Sequence, residues 1–554
     1  MTRAKDDYDY VIVGSGAAGS VVAARLSEMS GARILVLEAG PSDMSVYVRM
    51  PAAMSYPLSD QRRIWAMETG PEPGLGDRTM DHVRGRMLGG SGSLNGMVYV
   101  RGNPRDFDAW AEAGLEGWGY ADCLPYFKRL ESYDHGEDRY RGRSGPIKVT
   151  RMPVGLPVYD AMLEAGQQSG HALNDDYNGY RQEGVHVYQA NIDRGIRASG
   201  GRQYLRPAVK AGKVELRLGA LVTRVLTEGN RAVGVEVLKD GSRNKIMAAK
   251  EVILCGGAFN SPHLLMLSGI GPREELARHD IACVQDLPGV GKGLADHPAV
   301  SVAYHARRPG MSPGVGLGLL GMARVGAQWL FLRSGLGARN LWETGTFFRS
   351  SDDVDYANIQ HEFLPLLGEF AHGEVTVEDG FQYQVCLMRP RSKGEVTLAS
   401  SDPRTLPKIV TNFLTDPLDR RDLADAVRHT DEICQQKAWD AYRGEAVEPG
   451  LRTMPEDDLM RWLEARVGTQ YHPCATCRMG LDDMSVTDGS GRVNGMEGLR
   501  IADASVMPTI TSGNLQCPVV MVAEKLSDAI KGVPSLAPER VPYAGADTPD
   551  TEVA

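Results

Sequence analysis

YDYVIVGSGAAGSVVAARLSEMSGARILVLE, residues 8–38, joins two short apolar runs through a glycine-rich turn and a helical pattern. Tyr8–Val13 and Arg33–Glu38 are apolar and rich in β-branched residues, which is typical of buried strands. Ala17–Met29 lies between them with the periodicity of a helix. This order predicts a β-α-β unit, and therefore an α/β fold, at the start of the chain.

The turn after the first strand, Gly14–Gly19, has the sequence GSGAAG. Its first glycine permits a tight turn, its second lets the backbone approach a pyrophosphate, and its third lets helix and strand pack closely. The helix N-terminus would face the phosphates, and Glu38, 19 residues beyond Gly19, can accept a hydrogen bond from a ribose hydroxyl. The motif predicts a dinucleotide site for FAD or NAD. A glycine-rich turn without a ligand is the alternative.

Composition excludes several classes of protein. The 554 residues carry a net charge of −10, which argues against a nucleic-acid partner because sequence-independent binding needs a basic face. The 64 glycines follow no period of three, so a collagen is excluded, and their clustering indicates backbone packed against a ligand. Eight cysteines are too few for a disulfide scaffold. Only Cys474 and Cys477 form a C-x-x-C, without a second pair, and we expect no metal.

The sequence shows neither the pattern of a secretory signal nor that of a membrane-spanning helix. MTRAKDDYDY lacks the apolar segment of a secretory signal, so we expect a cytoplasmic, reduced protein. The glycine-rich apolar run Pro313–Ala323 stops at Arg324 and is shorter than the roughly 20 residues of a spanning helix. Three interpretations of this run remain open: a mobile lid, a buried loop, or a patch that rests on the inner face of a membrane near a quinone.

The rest of the chain changes character twice, which predicts two interleaved domains and a tail. Residues 300–470 hold candidate strands at 355–364, 381–388 and 394–398 and helical stretches near 418–436 and 457–467. We predict a mixed α/β fold with a Rossmann-like nucleotide domain interrupted by a second domain. The predicted ranges are 1–155, 201–300 and 469–534 for the first domain, 156–200 and 301–468 for the second, and 535–554 for an extended C-terminal tail.

Two more glycine-rich blocks predict contact with the cofactor. Gly85–Gly102, GRMLGGSGSLNGMVYVRG, offers many backbone N–H groups at close range, which suits a flat anionic ligand; a flexible loop is the alternative. Gly257–Gly271, GAFNSPHLLMLSGIG, follows a strand and opens a helix in which Pro262 fits the first turn.

Polar residues near the C-terminus are candidates for chemistry. His472 precedes a proline in a turn rich in glycine and threonine, where a histidine can act as a general base, although a single histidine is more often structural. Asp503 and Asn514, in LRIADASVMPTITSGN, follow a predicted strand and would place polar groups beside a cofactor ring.

Taken in order, these blocks resemble those of the glucose–methanol–choline (GMC) oxidoreductases, with VGKGLADHP and YHPCATCRMG as further matching blocks. The resemblance runs from Tyr8 to about Lys531. AQWLFLRSGLGARNLWETGTFFRS and QKAWDAYRGEAVEPG are most similar to bacterial choline-oxidising members. The resemblance implies FAD as the cofactor and an FAD-binding Rossmann-like domain with an inserted substrate domain built on an antiparallel sheet.

The resemblance also implies roles for individual residues. His472 matches the family's catalytic base, and Asn514 matches its second catalytic position. Glu343 matches a carboxylate that faces the trimethylammonium group in choline-oxidising members, where Trp342, Phe347 and Tyr471 would complete a cation site; core packing is the alternative for Trp342 and Phe347. The residues assigned to the cofactor are Gly14, Gly16, Ala17, Ala18, Gly19, Glu38, Arg86, Gly89, Gly90, Ser91, Asn95, Gly96, Val222, Asp503 and Ala504.

Three positions depart from relatives of this kind. Leu94 lies where some oxidases carry a histidine joined covalently to FAD, which implies a non-covalent flavin here. Gln470 replaces a smaller apolar residue of choline oxidases, which leaves the electron acceptor open among a quinone, a dye and O2. Tyr56 replaces an expected Trp and puts the aromatic wall of the cation site in question.

The predicted reaction is oxidation of a primary alcohol, choline or a similar alcohol, to the aldehyde. His472 would accept the hydroxyl proton, Asn514 would orient the oxygen, and hydride would pass to flavin N5. The alternatives are a dehydrogenase of a neutral aliphatic, aromatic or polyol alcohol, a cyanohydrin lyase of the same family, and a flavin-binding protein without catalysis.

Overall fold

A computed structural model describes residues 7–371 and 374–545, with two large sheets at its centre. The predicted ranges 1–155, 301–468 and 535–554 therefore include residues 1–6, 372–373 and 546–554, which lie outside the described residues. The chain is a mixed α/β protein, as predicted. The domain boundaries themselves stay a prediction, and the strand Pro298–Ala306 begins before the predicted boundary at residue 300.

The first sheet carries the N-terminal β-α-β unit. Asp7–Val13 pairs in parallel with Ile34–Glu38 on one side and with the long strand Ser242–Leu254 on the other. That strand is antiparallel to Arg231–Lys239 in its first half. The strands of this sheet are Asp7–Val13, Ile34–Glu38, Glu215–Leu218, Leu221–Glu228, Arg231–Lys239, Ser242–Leu254 and Leu499–Ile501.

The second sheet is antiparallel throughout its described pairs. Its central strands, Ile359–Leu364 and Gly380–Leu387, bury residues on both faces because helices cover one face and the cavity described below lies against the other. Its strands are Gly184–Val187, Pro298–Ala306, Thr344–Phe348, Ile359–Leu364, Gly380–Leu387, Arg443–Ala446 and Gly468–Thr469.

Smaller sheets fill the edges of the molecule. A three-stranded sheet contains Lys292–Leu294, Gly394–Thr397 and Lys408–Val410. The two-stranded pairs are Ile64–Trp65 with Arg84–Gly85, Glu131–Ser132 with Ile147–Lys148, Thr150–Arg151 with Gln189–Ala190, Ile192–Asp193 with Ile196–Arg197, Ile270–Gly271 with Gln285–Asp286, and Leu367–Ala371 with Glu374–Glu378.

Helices cover the sheets. The first helix, Ala17–Leu26, packs against the C-terminal helix Gln516–Lys531 over the first sheet because both present small and β-branched residues at their contact. The other α-helices are Val46–Arg49, Ser55–Leu58, Pro104–Glu112, Tyr120–Leu130, Pro157–Gln168, Arg206–Lys210, Gly257–Leu267, Arg273–Arg278, Gly318–Leu332, Pro417–Cys434 and Glu456–Arg466. Single turns of 3₁₀-helix include Gly90–Ser93 and Ala504–Val506, and Gly201–Leu205 forms a π-turn.

The described part of the tail, residues 535–545, has no helix or strand and lies on the helix Tyr120–Leu130. The peptide N–H of Glu539 donates to Ala121 O at 2.8 Å, and Leu536 N donates to the Tyr126 hydroxyl at 3.0 Å. These bonds hold an irregular segment in place without secondary structure of its own.

Candidate active site

The glycine turn has the geometry that its sequence predicts. Gly14 has φ +100°, and a Cβ there would lie 2.5 Å from the carbonyl oxygen of Cys255. A Cβ on Gly19 would lie 2.0 Å from Gly14 O, so a side chain at either position would force the helix away from the sheet. This close approach is what the first and third glycines of a dinucleotide motif provide.

The N-terminus of the first helix is open for an anion. Its N-cap residue, Gly16, supplies no side-chain hydrogen bond, so the first N–H groups of the helix have no capping side chain. Gly90, from the second glycine-rich block, packs so close that a Cβ on it would lie 2.8 Å from Gly16 Cα. Two glycine-rich segments thus meet at the N-terminus of the first helix.

Glu38 lies at the end of the second strand and lines the same cleft. Its carboxylate accepts hydrogen bonds from Ser15 N at 3.0 Å, Ser15 Oγ at 2.6 Å and Gly40 N at 2.9 Å. Burial raises the pKa of this carboxyl, and the hydrogen bonds from Ser15 oppose the shift. The carboxylate therefore holds the Gly14–Gly19 turn in place while it also lines the cleft.

One cavity of about 1130 Å³ joins this cleft to the antiparallel sheet. The volume exceeds the usual 300–1,000 Å³ of a small-ligand pocket and suits a dinucleotide with a second molecule beside it. The predicted site residues that line it are Gly14, Gly16, Ala17, Ala18, Glu38, Gly90, Ser91, Asn95, Gly96, Val222, Trp342, Tyr471, His472, Asp503, Ala504 and Asn514. Three predicted site residues do not line the cavity: Gly19, Arg86 and Gly89. The side chain of Arg86 stacks on Trp65, with its guanidinium carbon 4.7 Å from the ring centre.

Asp503 holds the loops at the cofactor side together. Its carboxylate accepts from Gly257 N at 2.8 Å and from Ser261 Oγ at 2.6 Å, and also caps the turn Ala504–Val506 through Ser505 N. The third glycine-rich block is thereby tied to the block that contains Asn514.

His472 and Asn514 also line this cavity. Their Nε2 and Nδ2 atoms are 3.4 Å apart, and His472 Nδ1 lies 3.1 Å from Nδ1 of His297. Burial, followed by the neighbouring His297, lowers the pKa of His472 to about 3. The imidazole is therefore neutral at ordinary pH and can accept a proton.

The backbone at this site is held by the buried carboxylate of Asp296. It accepts hydrogen bonds from the peptide N–H of His472 at 2.8 Å and from the Thr469 hydroxyl at 2.7 Å, and His82 Nε2 lies 2.7 Å from its second oxygen. Tyr471, immediately before His472, has φ +61°, which is uncommon for a residue with a side chain. The hydrogen bonds to Asp296 offset the cost of that conformation.

The orientation of Asn514 is fixed on both sides. Its Oδ1 accepts from Gln360 Nε2 at 3.0 Å, and its Nδ2 donates to Glu362 Oε1 at 2.7 Å. Gln360 is itself fixed because it also donates to the Tyr188 hydroxyl at 2.8 Å. The amide of Asn514 therefore presents its NH₂ group toward His472.

Two of the four predicted substrate residues do not reach the cavity. Glu343 is fully buried outside the lining, where it pairs with Arg339 and accepts from Val154 N at 3.1 Å. Phe347 is also fully buried and stacks on His186 with ring centres 4.9 Å apart, which is core packing. Glu343 immediately precedes the strand Thr344–Phe348 and Phe347 lies within it, and neither lines the cavity. Trp342, one residue earlier, lines it with Tyr471.

The three positions at which the sequence departs from its relatives all line the cavity: Leu94, Gln470 and Tyr56. Leu94 presents an apolar side chain without a nucleophilic atom. Gln470 donates to Gln384 Oε1 at 2.7 Å, so its amide is held against the antiparallel sheet. Tyr56 is half exposed and stacks on Tyr47 with ring centres 4.5 Å apart.

The structure adds Glu362, Asp296 and His297, to which the sequence assigned no role. Asp296 and His297 belong to VGKGLADHP, so the signal was a polar pair inside a recognised block. Glu362 stands in IQHEFL, a strand buried at every position, where a carboxylate is rare unless it is partnered. That contrast could have drawn attention to it.

Comparisons with known proteins agree with this geometry. Residues 8–299 and 390–523 match the profiles of the GMC oxidoreductase family. The chain belongs to that family. A relative from Photobacterium profundum, an oxygen-dependent choline dehydrogenase, is 43% identical over 98% of this chain and 96% of its own length. A relative of the same description from Pseudomonas syringae pv. tomato is 45% identical over 95% and 94%.

Solved structures show the same fold. A pyridoxine 4-oxidase from Mesorbium loti superposes with a TM-score of 0.85 at 28% identity, over 95% of this chain and 99% of that one. A formate oxidase superposes with a TM-score of 0.88 at 27% identity, over 96% and 99%. The predicted family, the oxidoreductase class and FAD as its cofactor are confirmed. These four proteins are dehydrogenases and oxidases, so they lend the cyanohydrin lyase no support.

Neither a metal cluster nor a membrane-spanning helix is present among the described residues. Over the described residues, no three His, Cys, Asp or Glu side chains come together as a metal would require. None of the helices in the described ranges has the length and apolar character needed to cross a bilayer.

Proposed function

We propose that this GMC oxidoreductase binds FAD non-covalently and oxidises a primary alcohol, choline or one of similar shape, to its aldehyde. The observation that carries the proposal is that His472 and Asn514 lie in the same cavity as the Gly14–Gly19 turn. Relatives that are 43% and 45% identical are oxygen-dependent choline dehydrogenases, which supports choline as the substrate.

The residues present fit the cofactor. Gly14–Gly19 and the uncapped helix behind it would hold the pyrophosphate, and Glu38 would take the ribose. The side chain of Leu94 cannot form a covalent link to a flavin, which supports non-covalent binding. When bound, the flavin supplies the acceptor for the hydride that leaves the carbinol carbon.

His472 takes the hydroxyl proton in this proposal. A proton on Nδ1 would be donated to Nδ1 of His297, which leaves the lone pair of His472 Nε2 directed toward Asn514 and the cavity. The lowered pKa of His472, to about 3, keeps that lone pair free at neutral pH. The proton moves from the alcohol oxygen to Nε2 as the hydride departs, so charge on that oxygen never builds fully.

Asn514 stabilises the alkoxide character of the substrate. One hydrogen of its NH₂ group is used by Glu362, and the second points toward His472, where the substrate oxygen would lie. A fixed donor at such a place is typically worth roughly 10²–10³ in rate. The bond from Gln360 keeps the amide from rotating, so the donor is oriented before the substrate arrives.

The proposal is tested with His472→Ala. We expect the variant to retain FAD and to lose about 10²-fold or more in the anaerobic rate of flavin reduction by choline. His305→Ala, on the exposed side of the strand Pro298–Ala306, is the matched control and should reduce at the wild-type rate. Near-normal reduction by the His472 variant would refute the assignment.

An uncharged alcohol is the second candidate substrate. The specific observation in its favour is that Glu343, the residue expected to face a cationic group, is neutralised by Arg339 outside the cavity. A panel of alcohols that includes choline and neutral alcohols of equal size, scored by anaerobic bleaching of the flavin, separates the two candidates.

We also propose that the helix Gly318–Leu332, the apolar helix, rests on a lipid surface. Leu319, Leu320, Phe331 and Leu332 are 92%, 89%, 78% and 70% exposed, whereas Met322 and Val325 line the cavity. Residues 306–342 contain five arginines and no acidic residue, which favours anionic headgroups. A membrane quinone or O2 would then serve as the electron acceptor at the mouth of the cavity.

A further inference from the structure

Glu362 is a carboxylate in an apolar setting. It lies in the strand Ile359–Leu364, which is buried at all six positions, and it is 6% exposed. Across the sheet it faces Gly345 on one neighbouring strand and Gln384 on the other, neither of which carries charge. Its side chain lines the cavity beside Asn514.

No cation of the described chain neutralises Glu362. Its one hydrogen-bonding side-chain partner is Asn514, and burial raises its pKa to about 7. The titratable groups that face it, Tyr188 and Cys386, are neutral, and their pKa values are raised by burial and then by the charge of Glu362. His472, beyond Asn514, is neutral as well.

Other buried glutamates in this protein have arginine partners or accept several hydrogen bonds, as Glu38 and Glu72 do. Glu131 pairs with Arg101 and Arg141, and Glu343 pairs with Arg339. This is the usual arrangement, because an isolated carboxylate in a protein interior is costly. Among the described residues, Glu362 has neither an arginine nor a second donor, so a cation in the cavity would supply the compensation that these other glutamates already have.

We propose that Glu362 binds the positively charged end of the substrate, so that the site selects alcohols with a cationic nitrogen close to the reacting hydroxyl. This inference rests on the proposed function and names its substrate class. Asn514 Nδ2 lies 2.7 Å from Glu362 and 3.4 Å from His472 Nε2, so the anion and the base flank one small space. A hydroxyl at His472 and a cation at Glu362 must therefore be joined by a short linker.

The walls of the cavity suit such a cation. Trp342 and Tyr471 line the same cavity, and aromatic faces attract quaternary ammonium groups. A quaternary nitrogen has no N–H to donate, so charge and aromatic contact are the interactions open to it. Glu362 would take the role that the sequence predicted for Glu343.

The pH dependence follows from the same pKa. Since the pKa of Glu362 is raised to about 7, its charged fraction grows as pH rises through neutrality. The kcat/KM for a cationic alcohol should rise over that interval more than the value for a neutral alcohol. Tyr188 and Cys386 do not titrate there, because their pKa values are raised well above their usual ranges.

The test compares choline with its neutral isostere, in which carbon replaces the nitrogen, on FAD-loaded wild type and Glu362→Gln at pH 8. We expect the ratio of kcat/KM for choline to kcat/KM for the isostere to fall by roughly 30-fold or more, because any effect through Asn514 lowers both values alike. Glu362→Asp retains the charge and should keep a preference for choline. Glu343→Gln is the matched control and should affect both alcohols equally.

A second measurement does not depend on turnover of a charged substrate. Tetramethylammonium should inhibit oxidation of the neutral isostere competitively in the wild type and only weakly in Glu362→Gln. Equal losses for both alcohols in Glu362→Gln would show that the residue acts through Asn514 alone and would overturn the inference, as would unchanged choline kinetics. A wild type whose flavin neither alcohol reduces would refute the proposed function itself.

Discussion

The peptide N–H of His472 donates a 2.8 Å hydrogen bond to the buried carboxylate of Asp296. The same carboxylate accepts from His297 N at 2.7 Å, so these two neighbouring histidines depend on a single side chain for their backbone positions. Burial raises the pKa of Asp296, but the hydrogen bond from His82 and further bonds outweigh it and bring the pKa down to about 2.

Asp296→Asn should therefore lower both stability and rate. The neutral amide cannot accept the same set of bonds, and hydrogen bonds to a charged group typically contribute about 1.5–3 kcal/mol each. The pKa of Asp296 is lower in the folded state than in the unfolded chain, where it is about 3.9. The contribution of Asp296 to the free energy of unfolding is therefore complete above about pH 3.9 and is lost as the pH falls toward 2. The thermal midpoint of Asp296→Asn should thus lie below that of the wild type by the same amount at every pH from 5 to 8.

Asp402→Asn is the matched control for that experiment. Hydrogen bonds from Arg404 lower the pKa of Asp402 to about 2 as well, but this pair lies at the surface. Surface pairs contribute little, so this variant should keep its thermal midpoint. A loss of midpoint in both variants, or in neither, would contradict the role given to Asp296.

Gly90→Ala should abolish or greatly weaken FAD binding. Gly90 has φ +54°, and an added Cβ would lie 2.8 Å from Gly16 Cα, so the two glycine-rich segments must separate. Gly468→Ala is the control, because an added Cβ there meets nothing within 4 Å. The ratio of flavin absorbance to protein absorbance after purification measures the effect. A normal ratio for Gly90→Ala would contradict the phosphate cradle proposed here.

The sequence predicted the nucleotide half better than the substrate half for a physical reason. Gly14–Gly19 is a local motif whose strand, turn, helix and acidic residue all lie within one short segment. Gly14 and Gly19 are required by contacts with Cys255, at the end of the neighbouring strand, and within the segment itself, so their spacing carries the information. His472 and Asn514 also lie in recognisable blocks, and the structure brings them within 3.4 Å.

The substrate wall could not be predicted in the same way. Whether a residue of an antiparallel strand faces the cavity or the core depends on register, and a shift of one position reverses it. Glu343 and Phe347 point into the core, while Glu362, on the adjacent strand, lines the cavity. The partner that neutralises Glu343 is Arg339, and only the fold shows that Glu362 lines the cavity without a cationic partner among the described residues.

Glu362→Gln should make the ligand-free protein more stable at pH 8 but not at pH 5. Burial raises the pKa of Glu362 to about 7, above the unfolded value of about 4.3. A carboxyl group whose pKa is raised on folding contributes its full stability at pH values below its unfolded pKa. This contribution to the free energy of unfolding is lost as the pH rises through the folded pKa of about 7. Thermal midpoints of wild type and variant, measured across this interval, should converge at low pH. Parallel curves would show that Glu362 has a partner in the folded protein.

Changes on the outer face of the apolar helix should detach the enzyme from lipid without altering its chemistry. Leu320→Ser combined with Phe331→Ser removes two large exposed side chains that do not line the cavity. We expect the FAD-loaded wild type to float with vesicles containing anionic phospholipid and less with neutral vesicles, because exposed arginines such as Arg324 favour negative headgroups. The double variant should remain in the soluble fraction.

A matched surface change separates this effect from a general loss of hydrophobicity. Leu481 is 76% exposed but lies outside the apolar helix, so Leu481→Ser should float as the wild type does. Reduction of the flavin by an alcohol should be the same in all three proteins, since none of the altered side chains lines the cavity. If the double variant floats as well as the wild type, or if the wild type never floats, the apolar helix is not a lipid-binding surface and a diffusible acceptor such as O2 suffices.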